Sequence, residues 1–241
     1  MIDEQDSPHR FNDAERDGVY RAIFERRDVR AQFRPDPVPD EVLARLLSAA
    51  HHAPSVGFMQ PWDFVVVTDR AVRQRVKDAF DRENAHAATL HEGERGVLYR
   101  RLKLEGILDT PLNLCITCDR GRGGTHVLGR SSMLDTDLFS TCLAVQNLWL
   151  AARAEGVGVG WVSIIDPAEL ATLLGLPDGV YPLAYLCLGY VDEFLGEPEL
   201  ARAGWRQRLD LRTLVHRDGW GKGLTQDDPL LSALEAVKLS P

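Results

Sequence analysis

The segment from Asp135 to Glu155 sets the problem for the rest of the chain. It reads as one long helix, yet Leu138, Phe139, Leu143, Val145, Leu148 and Trp149 fall on every side of it. A helix without a polar face has to be covered, either in the core or against another subunit. The fold must therefore enclose this element. Directly after it come Gly156-Val-Gly158-Val-Gly160-Trp161-Val162-Ser163, a Gly-rich turn that leads into a strand.

The remaining elements alternate in type. A helix starts near Asp13, with Val19, Ala22, Ile23 and Arg26 at helical spacing, and ends in Arg26-Arg27-Asp28-Val29-Arg30. Pro35, Pro37 and Pro39 force an extended connector, and a second helix from Asp40 carries the stripe Val42, Leu43, Leu46, Leu47 and Ala50. Pro54 ends it. Residues 61–67 form a β-type run, and Thr68 or Asp69 caps a helix through Phe80. The polar stretch 81–107 reads as one or two exposed helices that form a lid. Residues 112–117 and 181–190 read as strands, 167–174 as a short helix, and the tail from Glu197 as irregular. Such alternation belongs to a layered α/β or α+β fold. Residues 1–12 read as a loose arm. With no repeat and no Pro/Gly/Ser linker, residues 13–241 read as a single domain.

Charge narrows the partners. The 241 residues carry 28 Lys and Arg against 36 Asp and Glu, a net −8, which argues against nucleic acid or an anionic membrane surface. The longest uncharged stretch, 138–152, is shorter than the ~20 residues a membrane span needs. The start, MIDEQDSPHR, has no apolar run and reads as no signal peptide. The expectation is a cytoplasmic protein. Cys115 and Cys118 form a C-x-x-C, but on a strand residues i and i+3 face opposite sides, ~10 Å apart. They read as small buried hydrophobes, and no metal site is expected.

Several segments can carry chemistry. Arg26, Arg27 and Arg30 suit the oxygens of a phosphorylated cofactor, although cations at a helix C-terminus are also favoured without any ligand. Ala53-Pro54-Ser55-Val-Gly57-Phe58-Met-Gln60-Pro61-Trp62 is either a ligand-holding loop or a plain connector. The G-x-G-x-G after the long helix has the wrong spacing and element order for a dinucleotide turn. The loop Asp119–Gly124 lacks the Lys-Ser/Thr of a phosphate-binding P-loop, and His51-His52 read as solvated. No G-x-S-x-G or H-E-x-x-H is present.

Taken together, the helix ending in Arg26-Arg27-x-x-Arg30, Pro54-Ser55 with Gln60-Pro61-Trp62 downstream, the long apolar helix and the Gly-rich turn resemble the FMN-binding nitroreductase superfamily. Cys118-Asp119-Arg120 and Ala144-Val-Gln-Asn-Leu-Trp149 through Gly160-Trp-Val-Ser163-Ile look most like its BluB branch, the 5,6-dimethylbenzimidazole synthases. The likeness runs from about residue 10 to Trp220. It implies an α+β, nitroreductase-like fold, with a central mixed sheet flanked by helices and a homodimer holding FMN at its interface. It also implies that reduced FMN and O2 are substrates, the flavin being cut to 5,6-dimethylbenzimidazole and erythrose 4-phosphate for vitamin B12. A separate flavin reductase or NAD(P)H system would supply the reduced FMN.

The resemblance further implies residue roles. Arg26, Arg27 and Arg30 would hold the phosphate and ring edge, with Arg208 a further phosphate partner. Val29, Ser55 and Gln60 would line the flavin. Asp28 would move protons and Ser163 would donate a hydrogen bond near the reacting flavin nitrogen or the oxygen. Many nitroreductases carry Ser at the position of Asp28 and Asn at that of Phe58. Those departures weigh against the first alternative, an NAD(P)H-dependent nitroreductase or flavin reductase. A non-catalytic flavin-binding protein is the second.

Overall fold

The computed structural model describes residues 9–237. The chain divides into two compact units, Met1–Phe194 and Leu195–Pro241. Of the expected loose arm, residues 1–8 lie outside the described residues. Asn12 caps α1 (Asp13–Glu25) through a reciprocal bond pair with Glu15.

The first unit contains α2 (Asp40–His51), β1 (Trp62–Val67), α3 (Arg70–Thr89), α4 (Gly93–Tyr99), β2 (Leu112–Asp119), α5 (Thr136–Ala154), β3 (Val157–Val162), α6 (Pro167–Leu174) and β4 (Val180–Tyr190). The four strands form one sheet in the order β1-β2-β4-β3, every neighbour antiparallel. The expected mixed character reduces to one isolated parallel bridge among the described residues, Asp28 with Val159. β2 is buried along its length to Cys118 because both sheet faces are covered. On one face α2 and α5 pack Leu46, Ala144, Leu148 and Ala152 against Leu114 and Leu186. On the other, Val76 and Phe80 of α3 and Leu170 of α6 meet Cys115, Tyr185 and Cys187.

Three expectations change. α5 is half covered: Phe139 and Leu143 remain 54% and 45% exposed, so its apolar outer face is left open in the single chain. The helix expected to stop at Phe80 runs on to Thr89, because nothing between them breaks a helix. Residues 81–107 are therefore the end of α3, then α4, then a return segment whose Glu105, Gly106 and Ile107 are buried. The Tyr99 hydroxyl donates to Asn84 Oδ1 at 2.8 Å and ties α4 back to α3. The Gly-rich turn is itself β3, and of its glycines only Gly156 has a left-handed φ.

The second unit holds α7 (Glu199–Arg202), a 3-10 turn at Leu211–Leu214 and α8 (Pro229–Ala236), so the tail is less irregular than its sequence suggests. Asp210 and Asp228 cap its two later helical segments and pair with Arg212 and Arg217. Among the described residues no helix is long and apolar enough to cross a membrane.

Candidate active site

Past α1 the chain turns extended at Arg26, meets the free edge of β3 at Val29 and then pairs with the end of β4. The Val29 amide donates to Val159 O at 3.0 Å, Arg34 N to Tyr190 O at 2.8 Å, and Asp192 N to Gln32 O at 3.0 Å. Glycine makes this approach possible. A Cβ at Gly160 would stand 2.1 Å from the Val29 carbonyl oxygen, and one at Gly158 would stand 2.4 Å from the Val191 side chain. The Phe33 ring fills the slot between them, within 2.8 to 3.8 Å of where Gly106, Gly158, Gly160 and Gly189 would carry side chains. The G-x-G-x-G spacing thus serves a strand edge that receives another backbone.

This seating aims Asp28 at β3. Its Oδ1 accepts the Trp161 amide at 3.0 Å, and its Oδ2 meets Arg30 Nη2 at 2.5 Å. Burial pushes the carboxyl up from its ordinary value, and Arg30 and the Trp161 N–H only partly oppose that rise. A carboxyl that takes a proton more readily than ordinary aspartate is suited to general acid and base work. Arg30 is largely covered, and its Nε is buried without a hydrogen-bond partner among the described residues. A buried N–H with no acceptor is costly unless something else accepts from it, as an oxygen- or nitrogen-rich ligand would.

The other arginines differ from one another. Arg26 places its guanidinium 4.8 Å from the centre of the Trp149 ring. Arg27 is buried and donates through Nη1 to the Phe24 and Arg26 carbonyls, while its own carbonyl accepts from Trp149 Nε1. Ser163 follows β3 directly, exposed, two residues beyond the amide that holds Asp28, or ~7 Å along a strand. It borders a cavity of about 190 Å³ with Trp161, Ile165, Leu170, Tyr181 and Tyr185.

Ser55 and Gln60 stand elsewhere. They lie in the bend before β1, and sheet order puts β1 and β3 at opposite edges, three strand spacings or ~14 Å apart. Ser55 Oγ accepts the Gln60 amide at 3.1 Å, and the Val56 amide donates to Ser140 Oγ at 3.2 Å. Gly57, Phe58 and Gln60 all have left-handed φ values of +60, +53 and +46, which for the last two costs roughly 1–3 kcal/mol each. Strain of that size collects at functional bends. The structure therefore gathers Asp28, Val29, Arg30 and Ser163, with Arg26 nearby through Trp149. It leaves Ser55 and Gln60 as a second group. Arg208 is exposed in the unit 195–241.

Sequence reasoning passed over Trp161, whose backbone rather than side chain holds Asp28, and Phe33, whose only signal was the glycines around it. The cysteines are plain. Cys115, Cys118 and Cys187 are buried free thiols, and burial pushes Cys115 up to about 12. Among the described residues no cluster of three or more His, Cys, Asp or Glu is placed to hold a metal.

Comparison with known proteins follows the same lines. The nitroreductase family profile matches residues 23–190. A 5,6-dimethylbenzimidazole synthase of Rhodospirillum rubrum is 46% identical over 198 residues, 82% of this chain and 93% of that protein. One from Rhodobacter capsulatus is 42% identical over 200 residues, 83% of this chain and 96% of its own. In fold, a BluB-like flavoprotein from Clostridium difficile 630 superposes with a TM-score of 0.63 at 19% identity, covering 83% of this chain and 99% of that one. Oxidised iodotyrosine deiodinase bound to FMN and 3-iodo-L-tyrosine gives 0.66 at 21% identity, covering 83% and 98%. With Asp28, Arg30 and the glycine-edged β3 inside the matched region, this chain belongs to the nitroreductase family, in the group of the 5,6-dimethylbenzimidazole synthases.

Proposed function

We propose that this protein is a 5,6-dimethylbenzimidazole synthase, with reduced FMN and O2 as its substrates. The observation that carries the reading is Asp28, a partly buried carboxyl held by the Trp161 amide and Arg30. A carboxylate does not help to hold a phosphate, which it opposes by like charge, so its use there is to move protons as the flavin is broken down. O2 would be the oxidant and reduced FMN the molecule oxidised, the ring system breaking into 5,6-dimethylbenzimidazole and erythrose 4-phosphate with the rest of the pyrimidine ring leaving as a further fragment. A separate flavin reductase or NAD(P)H system supplies the reduced flavin, and the cytoplasm is the proposed location.

The protein's own groups bind and move protons. Arg30 fits the ligand through its buried Nε, which wants an acceptor. Arg26 adds a second cation over Trp149, and Arg27 adds charge while closing the end of α1. Val29 fixes the spacing between Asp28 and Arg30 by its bond to Val159. Asp28 takes up and returns a proton at its carboxylate, and the Ser163 hydroxyl donates a hydrogen bond from the end of β3. The α3–α4 segment, tied by Tyr99 to Asn84, acts as the lid that keeps water from the reacting flavin. Arg208 is assigned to the phosphate.

A homodimer completes the site. The outer face of α5 and the exposed Val19, Tyr20, Ile23 and Phe24 of α1 leave a broad apolar surface, the kind a second copy covers. Such a copy would bring Ser55 and Gln60 of the partner subunit to the edge carrying Asp28, a distance one chain does not close. The test is to mix the protein with chemically reduced FMN in air and identify the products by mass. Dimethylbenzimidazole is expected. Flavin reoxidation without it, together with NAD(P)H turnover, would make the protein a reductase, and neither product nor turnover would leave a binding protein.

A further inference from the structure

The bend before β1 is bent against its own side chains. Phe58 and Gln60 keep φ values of +53 and +46, and residues with a Cβ hold such angles only where their surroundings enforce them. At Gln60 the backbone is held on both sides, its amide by Ser55 Oγ at 3.1 Å and its carbonyl by Arg122, from the loop after β2. Arg122 Nη1 donates to the Gln60 carbonyl at 3.0 Å and to the Trp62 carbonyl at 2.8 Å, and its Nη2 donates to Asp63 Oδ2 at 2.6 Å. A planar fork of this kind fixes the direction of both carbonyls at once.

The loop that carries Arg122 is itself anchored. Fully buried Asp137, in the first turn of α5, accepts from Arg120 Nε at 2.9 Å and Arg130 Nη2 at 2.8 Å. Arg130 Nη1 returns to the Arg120 carbonyl at 2.9 Å, and the Asp119 amide donates to Pro61 O at 2.7 Å. A carboxylate at a helix N-terminus with two arginines on it is stable and hard to move. Arg122 therefore reaches the bend from a fixed base.

We propose that Arg122 is a positioning residue. It holds Gln60 in the left-handed conformation, so that the Ser55–Gln60 bend keeps the shape in which it meets reduced FMN. The inference rests on the flavin reading of that bend. Its rival is a surface ion pair between Arg122 and half-exposed Asp63, which would matter little.

Glycine separates the two, because it adopts a left-handed φ without penalty. FMN affinity is measured by fluorescence quenching for Arg122→Met, for Gln60→Gly, for the double variant and for Asp63→Asn. Arg122→Met is expected to weaken binding about tenfold in the natural background, the factor that ~1.4 kcal/mol of lost restraint gives. In the Gln60→Gly background the same change is expected to cost less than about a third of that factor, and Asp63→Asn to cost almost nothing. Equal losses in both backgrounds, or an Asp63→Asn loss matching that of Arg122→Met, would overturn the proposal. Arg122→Lys, which keeps the charge, serves if Arg122→Met does not fold. A flavin-free crystal structure of the variant decides the geometry independently. Gln60 leaving the left-handed region supports the proposal, and Gln60 staying there refutes it. If the unaltered protein binds no FMN, the flavin reading of the bend fails, and that crystal structure alone still judges Arg122.

Discussion

The two edges of the sheet bring residues to a site by opposite means. At β3 the chain removes side chains: Gly158 and Gly160 let Val29 and Phe33 pack directly against the strand, and the backbone there is relaxed. At β1 it keeps its side chains and accepts strain, with Phe58 and Gln60 left-handed and held from outside. The first solution is local and rigid. The second depends on a loop from the far side of β2, so it can be loosened without touching the residues that bend.

The greatest loss is expected for Asp28→Asn. Product formation is expected to fall by about 10²- to 10⁴-fold, the usual worth of a positioned acid or base, while FMN is still bound. An unchanged yield would remove Asp28 from the chemistry. The same variant should be more stable than the parent. Because the folded-state pKa of Asp28 is raised, the ionised carboxylate costs folding energy, and that cost is present above its folded pKa and disappears as pH falls towards its unfolded value. The melting temperature of Asp28→Asn is expected to exceed the parent's at pH 8, with the gap closing as pH falls towards the ordinary aspartate range. A gap that widens on acidification would contradict the sign.

Next in size is Gly160→Ala. The added Cβ meets a backbone oxygen at 2.1 Å, which cannot rotate away, so a loss of roughly 3 kcal/mol is expected in chemical denaturation. Gly175→Ala, where nothing lies within 4 Å but φ is +67, tests conformational strain without crowding and is expected to cost about 1 kcal/mol. If the two cost the same, the slot at β3 is not tight.

The smallest effect is at the other edge. Gln60→Gly relieves ~1–3 kcal/mol of strain but adds ~0.5–1 kcal/mol of chain entropy to the unfolded state. A net gain of about 0–2.5 kcal/mol, lying nearer the low end, is expected. A loss would mean that the bend stores no strain at Gln60.

What could be read in the sequence follows from the same contrast. Periodicity located α2, α5, α6, β1, β2 and β4 closely, because their buried residues recur at regular intervals, whereas the glycines of β3 read as a turn. The end of α3 was hidden, since Asp81 to Thr89 lacks either a breaker or a stripe. Asp28 and Ser163 were identifiable through family likeness, and the structure places them at one strand edge. Their tether was hidden because it is a backbone N–H. Arg122 was hidden for another reason: its partners are carbonyls some sixty residues away in sequence, and carbonyls leave no trace in residue identity.

That tether has a practical meaning for anyone altering the protein. The group that grips Asp28 belongs to the main chain at position 161, so nineteen of the twenty amino acids offer it equally. Exchanging Trp161 for another large apolar residue that keeps its packing against Trp149 would reshape the neighbouring cavity while the main-chain donor to Asp28 remains. Proline is the exception, because it alone deletes that donor. An apolar exchange of that kind would redesign the room and leave its door hinge where it was.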